Sequence, residues 1–117
     1  MYLRNWIKSE YIIGFICIFI VYVYLDYSIL VFFLLLLVPD VSMIGYVINT
    51  KIGAILYNIV HHFSLPTILL TLCIVFNIPT VTPIALIWIA HILMDRAFGF
   101  GLKYANDFKE THLQKIV

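Results

Sequence analysis

The sequence has few charged residues. Asp, Glu, Lys and Arg make up 11% of its 117 residues, whereas a soluble domain has about 25%. Hydrophobic residues make up 64%, so we expect most of the chain to lie in a membrane as one compact domain. The seven basic residues are too few and too dispersed for a nucleic-acid-binding surface. The formal net charge of +1 points to no particular charged partner.

Cysteine is also scarce. Cys17 and Cys73 lie far apart and form no C-x-x-C or other metal-type spacing, so they predict no cysteine-based metal site or redox motif. We interpret both as small apolar side chains in a membrane core. The chain also lacks internal repeats, low-complexity tracts and interdomain linkers, which favours a single domain over residues 1–117.

Four apolar runs fill most of the chain. They cover residues 9–25, 29–48, 52–76 and 81–98, and each is near the ~20 residues that a membrane-spanning helix needs. Short links make consecutive helices antiparallel neighbours. The sequence therefore predicts an all-α membrane bundle of four transmembrane helices, followed by a polar tail over residues 99–117.

Prolines mark local features of these helices. Pro39 interrupts the second run, and Pro66 predicts a bend in the third, because proline removes a backbone hydrogen bond from a helix. Thr82 followed by Pro83 predicts a helix N-cap with proline at the first helical position.

The basic residues predict the orientation of the bundle. With four spans, all of them fall on one side, at the N-terminus, in the middle loop or near and within the tail: Arg4, Lys8, Lys51, Arg96, Lys103, Lys109 and Lys115. The positive-inside rule then places both termini in the cytoplasm of a multi-pass protein of the cell (inner or plasma) membrane. Residues 22–27 lack the small side chains of a signal-peptide cleavage site, so we expect the first helix to be retained.

Ionisable residues inside apolar runs are costly in a bilayer and call for an explanation. At 1.5 Å per residue along antiparallel helices, Asp40, His61 and His91 fall about 10 to 14 Å from the cytoplasmic edge. Asp95 shares a helix face with His91 at i and i+4. The sequence therefore predicts that these four side chains approach one another in the cytoplasmic half of the membrane.

Two explanations compete for this cluster. In the structural one, the polar groups hydrogen-bond between helices, although such bonds average only ~0.6 kcal/mol. In the functional one, imidazole nitrogens and carboxylate oxygens bind a divalent metal ion, for which zinc, manganese and iron are candidates. A proton relay or ion pathway is a third alternative.

Four further residues are assigned supporting roles. Asn58 shares a helix face with His61, at i and i+3. His62 is expected to hydrogen-bond between helices, and Arg96 to reach the lipid phosphates. For His112 in the tail, two alternatives remain: it is solvated, or it folds back to the cluster.

Four sequence blocks carry a family resemblance. The strings LLVPDVSMIGY, YNIVHHFSLP and WIAHILMDRAFGFGLKY, with FKETHL in the tail, resemble family 4260 among the domains of unknown function, a group of small bacterial membrane proteins. The resemblance covers nearly the whole chain and implies no activity. The matching polar positions are Asp40, Tyr57, Asn58, His61, His91, Asp95, Arg96, Lys103, Thr111 and His112.

A looser similarity concerns the order of the polar residues. A leucine-rich stretch ending in Pro-Asp, a histidine on the next helix and then His-Ile-Leu-x-Asp are similar to bacterial inner-membrane metal-dependent hydrolases. The similarity implies metal ligands at Asp40, His61 or His62, His91 and Asp95. Ser42 and Met43 stand where those hydrolases usually have a further Asp and His, and their additional basic-flanked histidine of the middle block is missing.

Two functional hypotheses follow. The first is a metal-dependent membrane hydrolase in which Asp40, His61 and His91 hold a metal ion that activates water. Asp95 is then a fourth ligand, a partner that orients His91, or a catalytic general base, and the substrate is lipid-like and enters from the cytoplasmic leaflet. The second is a non-enzymatic membrane protein, a proton or ion relay or a scaffold, in which the cluster bonds helices together. Either protein could act alone or as an oligomer.

Overall fold

The computed structural model describes residues 2–40 and 48–98, and within these ranges the chain is helical and has no strand. The helices are α1 (Tyr2–Tyr24), α2 (Ile29–Leu35), α3 (Thr50–Val60), α4 (Ser64–Val75) and α5 (Thr82–Ala97). The predicted all-α class is confirmed. α5 lies at the centre, because α1, α4 and α2 all pack against it. The predicted tail over residues 99–117 lies outside the described residues.

The link between α1 and α2 forms as a helix stop followed by a helix start. Asp26 has a φ of 64°, in the left-handed region that ends many helices. The N–H of Tyr27 reaches back to the Tyr22 carbonyl at 3.4 Å, which closes the last turn of α1. Ser28 then caps α2 by accepting a hydrogen bond from the N–H of Val31 at 3.3 Å. The Phe19 and Phe32 rings are 5.0 Å apart between centroids, so the two helices are neighbours, as the short link predicts.

The predicted third helix, residues 52–76, is broken into α3 and α4 at residues 61–63. Pro66 lies in the first turn of α4, where it cannot donate to the carbonyl four residues earlier. The carbonyls freed by the break find partners on α5: Trp88 Nε1 donates to Val60 O at 2.6 Å, and Arg96 Nη2 donates to His61 O at 3.4 Å. Side chains of α5 thus compensate for the interrupted backbone.

A second break ends α2. The helix stops at Leu35, four residues before Pro39, and Asp40 continues in a tighter turn in which its N–H bonds Leu37 O at 3.1 Å. The carbonyl of Leu36 instead accepts a hydrogen bond from His91 Nδ1 at 2.6 Å. The predicted second helix, residues 29–48, is therefore shorter within the described part of the chain, and residues 41–47 lie outside it.

The start of α5 differs from the prediction. Thr82 is the first helical residue and Pro83 the second, and Val81 occupies the N-cap position without a side-chain hydrogen bond. The Thr82 hydroxyl donates backwards to Ile78 O at 2.8 Å, as threonine in a first turn can do. The prediction of Thr82 as the N-cap was wrong by one residue.

The interior of the bundle is aromatic and aliphatic. Phe32 and Tyr22 are fully buried, with ring centroids 5.1 Å apart, and Leu86 and Ala90 of α5 pack in the same cluster. Gly14 of α1 lies so close to α5 that a Cβ there would be 3.1 Å from the Leu93 side chain. The small residue allows the two helices to approach closely.

The outer surface is apolar. Two segments, Leu3–Tyr24 and Thr50–Val75, are long and apolar enough to cross a membrane, the second being α3 and α4 taken together. Most of their side chains face outward rather than into the bundle. Large hydrophobic residues such as Leu30 (69% exposed) and Phe76 (68% exposed) lie on this surface.

Candidate metal centre

Four side chains from three parts of the chain converge between the helices. Asp40 follows α2, His61 ends α3, and His91 and Asp95 lie one turn apart on α5. Each offers one ligand atom, and the four atoms lie within 4.8 Å of one another. The structure therefore brings together the four residues singled out in the sequence, and they could hold a metal ion.

The distances between these atoms suit a small cation. The two Nε2 atoms of His61 and His91 are 3.0 Å apart. Asp40 Oδ1 lies 3.4 Å from the first and 3.1 Å from the second, and Asp95 Oδ2 lies 3.2 Å from each. In a tetrahedral zinc site with bonds of ~2.0–2.1 Å, neighbouring ligand atoms are about 3.3 Å apart. The five separations that involve an imidazole nitrogen are close to that value, and the two carboxylate oxygens lie within 4.8 Å of each other.

Backbone carbonyls orient both imidazole rings. His61 Nδ1 lies 3.0 Å from Tyr57 O, and His91 Nδ1 lies 2.6 Å from Leu36 O. A carbonyl oxygen can only accept a hydrogen bond, so each Nδ1 carries hydrogen and each Nε2 of a neutral ring presents a lone pair. Metal-binding histidines are usually held in this way, by a hydrogen bond from the ring nitrogen that does not bind the metal. Asp95 faces the Nε2 side of His91, and the Leu36 carbonyl is the group that holds the Nδ1 side.

With these tautomers, four acceptor atoms face one another. Asp40 Oδ1 is buried and has no hydrogen-bond donor in the described part of the chain. The side chains of His61 and His91 are 3% and 0% exposed, so bulk water does not separate the lone pairs. Mutual repulsion of lone pairs in a buried site requires either added protons or a bound cation.

Tyr57 belongs to this site, although the sequence interpretation gave it no role beyond a matching position. Its ring stacks on that of His61 with centroids 3.7 Å apart and an interplanar angle of 8°. Its hydroxyl donates to Asp95 Oδ2 at 3.3 Å. The available signal was its spacing: Tyr57 precedes His61 by four residues, so both lie on one face of the helix end.

Arg96 does not reach the lipid phosphates as predicted. The side chain is buried, with 7% exposure, and its guanidinium lies over the rings of Phe63 at 5.1 Å and Tyr11 at 5.8 Å. It also donates to His61 O. The prediction was wrong because the helix face that carries Arg96 points at the α3–α4 break, where aromatic faces and a free carbonyl stabilise the cation.

Of the other supporting residues, the structure describes His62 and Asn58. His62 is exposed, and its Nδ1 accepts from the N–H of Ser64 at 3.2 Å. This is a local bond within the helix break rather than the predicted bond between helices. Asn58 is half-buried on α3, one turn before His61. His112 lies outside the described residues.

The comparisons with known proteins agree with the sequence resemblance at the level of the family only. No curated protein and no solved structure matches the chain, so the similarity to metal-dependent hydrolases stays a prediction. The family profile described as domain of unknown function DUF4260 matches residues 4–116. The chain therefore belongs to the DUF4260 family.

Proposed function

We propose that this protein is an integral membrane protein that binds a divalent transition metal ion through Asp40, His61, His91 and Asp95. The observation that carries the proposal is the meeting of two imidazole lone pairs, 3.0 Å apart, with two carboxylate oxygens. A divalent cation would neutralise the two carboxylates and satisfy all four acceptor atoms at once.

The donor atoms narrow the choice of metal. Magnesium and calcium prefer sites made only of oxygen, whereas a mixed nitrogen and oxygen set suits zinc, manganese or iron. The separations of 3.1 Å and 3.2 Å between His91 Nε2 and the two carboxylate oxygens suit bonds of ~2.0–2.1 Å, the length found in zinc sites.

Hydrolysis of a membrane-associated substrate is the activity that such a centre would serve best. A bound divalent metal lowers the pKa of a coordinated water and so provides a nucleophile at neutral pH. Asp40, as the more exposed of the two carboxylates, marks the side from which water can arrive. The competing function is a proton relay or an interhelical contact, but a structural contact normally pairs a donor with an acceptor.

The membrane placement rests on the outward-facing apolar surface and on the distribution of basic residues. The two segments long enough to cross a bilayer expose most of their side chains, and lipid would cover them. The positive-inside rule then supports four spans with both termini in the cytoplasm. In that orientation the metal centre lies in the cytoplasmic half, within reach of a lipid-like substrate.

Metal analysis of the purified protein tests the proposal. The detergent-solubilised protein should contain, or take up, about one transition metal ion per chain, because binding needs only the four converging ligands. His91→Ala should abolish loading, and the matched variant His62→Ala, which removes an exposed imidazole, should retain it. A wild-type protein that cannot be loaded would overturn the proposal. The structural role would be favoured by a different result: metal-free His91→Ala unfolds at a lower temperature than metal-free wild type, and the two proteins do not differ in metal content.

A further inference from the structure

The two carboxylates of the metal centre are held very differently. We propose that Asp40 is the exchangeable ligand and that its position accepts an anionic oxygen donor, a phosphate monoester in particular. This inference rests on the proposed metal centre and names the ligand class that the centre would take.

Burial separates Asp40 from the other three residues. Its side chain is 35% exposed, whereas those of Asp95, His61 and His91 are 14%, 3% and 0% exposed. Because Asp40 Oδ1 is itself buried, a ligand would reach the centre at this position when the Asp40 carboxylate swings outward, toward its exposed side. The other three ligands lie against neighbouring helices.

Hydrogen bonding also distinguishes Asp40 from Asp95. Asp95 Oδ2 accepts from the Tyr57 hydroxyl and projects from within α5, a helix of 16 residues. Asp40 Oδ1 has no donor in the described part of the chain, and its backbone sits in the short turn after α2 with one bond to Leu37 O. A carboxylate that accepts no hydrogen bond from another residue can dissociate from a metal ion at a smaller free-energy cost than one that does.

The local charge favours an anion at the vacated position. With Asp40 withdrawn, a divalent metal faces one carboxylate and two neutral imidazoles, so the centre keeps a positive charge. A metal ion with a remaining positive charge stabilises the oxygens of a phosphate group.

Exchange at Asp40 would also provide the open position that hydrolytic metal sites need. Structural zinc sites have four protein ligands and are closed, whereas catalytic sites keep three and leave one position for water or substrate. A centre with three fixed ligands, His61, His91 and Asp95, and one labile ligand switches between these two states.

Cobalt-loaded protein tests the unequal roles of the carboxylates. We expect Asp95→Asn to weaken Co²⁺ binding about 100-fold and Asp40→Asn only about 10-fold. Asp26→Asn is the matched control, because Asp26 is an exposed turn residue whose positive φ asparagine also adopts; it should bind Co²⁺ like the wild type. Equal losses in the two cluster variants, or a larger loss in Asp40→Asn, would overturn the inference.

The ligand class is tested with inorganic phosphate and with phosphatidic acid in mixed detergent micelles. Either probe should change the visible Co²⁺ spectrum of the wild type, and Asp40→Asn should respond at an about 10-fold lower concentration because the probe displaces a neutral amide more easily than a carboxylate. A response to both probes indicates phosphate recognition alone, and a response only to the lipid indicates that acyl chains contribute.

The outcomes separate the two proposals. Wild-type protein that binds no Co²⁺ or other transition metal overturns both. Protein that binds Co²⁺ but whose spectrum is unchanged by either probe keeps the metal centre and overturns the phosphate position.

Discussion

The hydrogen on each Nδ1 is the residue-level feature on which the site depends. Because Tyr57 O and Leu36 O hold these hydrogens, both Nε2 atoms point their lone pairs into the same space. In the metal-free protein, a proton between the two Nε2 atoms, 3.0 Å apart, would relieve the repulsion. Protons and metal therefore compete for the same atoms.

This competition predicts a pH dependence of metal binding. Protonation of His61 and His91 fills the lone pairs that the metal needs, so affinity should fall as the pH is lowered from about 8 to about 6. The sign is fixed because only the deprotonated Nε2 can coordinate. Calorimetry in two buffers of different ionisation enthalpy should detect proton release on binding. His62→Ala should show the same dependence, and an affinity that does not vary with pH would contradict the assignment of the ligands.

Tyr57 offers a second residue-level prediction. Tyr57→Phe keeps the ring stacked on His61 but removes the hydroxyl that donates to Asp95 Oδ2. We expect metal affinity to fall about 10-fold, the usual effect of removing an outer-shell hydrogen bond. Competition with a chelator measures the affinity. Tyr27→Phe is the control, because the Tyr27 hydroxyl bonds Pro79 O, away from the centre; an equal loss in both variants would indicate a general change in packing.

The four ligand residues could be proposed from the sequence, whereas their surroundings could not. Depth along antiparallel helices places Asp40, His61 and His91 in one layer, because the rise per residue is constant. Whether a side chain on that layer faces a ring, a carbonyl or lipid depends on helix rotation and packing. Arg96 was therefore misplaced, since charge near a helix end normally indicates a surface residue.

At the scale of helices, two breaks shape the site. The breaks after α2 and between α3 and α4 free backbone carbonyls, and side chains of α5 bond three of them: Leu36 O, Val60 O and His61 O. The centre thus forms where interrupted helices meet a continuous one. In a membrane, irregular backbone of this kind persists only where protein or a cavity satisfies it.

The α3–α4 break predicts the effect of removing a proline. Pro66→Ala restores an N–H that can bond the carbonyl of His62, so a continuous helix competes with the break. Straightening would move His61 away from His91, and we expect metal affinity to fall several-fold while the helix content measured by circular dichroism rises slightly. Pro83→Ala is the control, because a proline in the first turn of α5 interrupts no helix. Unchanged affinity in Pro66→Ala would show that packing alone maintains the break.

Hydrophobicity and local residue types explain which helix ends and breaks the sequence could predict. The apolar run over residues 52–76 is continuous. Hydrophobicity alone therefore does not reveal the helix break within this run, because apolar residues continue on both sides of it. Pro66 indicated a bend, but the break lies before it, at residues 61–63. The ends of the α1–α2 link were predictable because Asp26 and Ser28 have the local chemistry of a helix stop and a helix cap.

For the whole molecule, the exposed apolar surface and the one-sided basic residues predict a topology. Thr80 lies in the link before α5 and Lys51 in the first turn of α3; both are exposed, and four spans place them on opposite sides. With Cys17 and Cys73 replaced by alanine, Thr80→Cys should react with a membrane-impermeant maleimide on intact cells, and Lys51→Cys should react only after permeabilisation. Labelling of both cysteines before permeabilisation would contradict the proposed orientation.

The bond from Trp88 Nε1 to Val60 O gives the molecule an intrinsic optical reporter. The indole lies one helical turn from His91 and contacts the residue next to His61, whereas the other tryptophan, Trp6, is 59% exposed at the start of α1. Replacement of Trp6 by phenylalanine would leave a single fluorophore at the helix break. Its emission would then follow the occupancy of the centre through quenching by paramagnetic ions, without any added label.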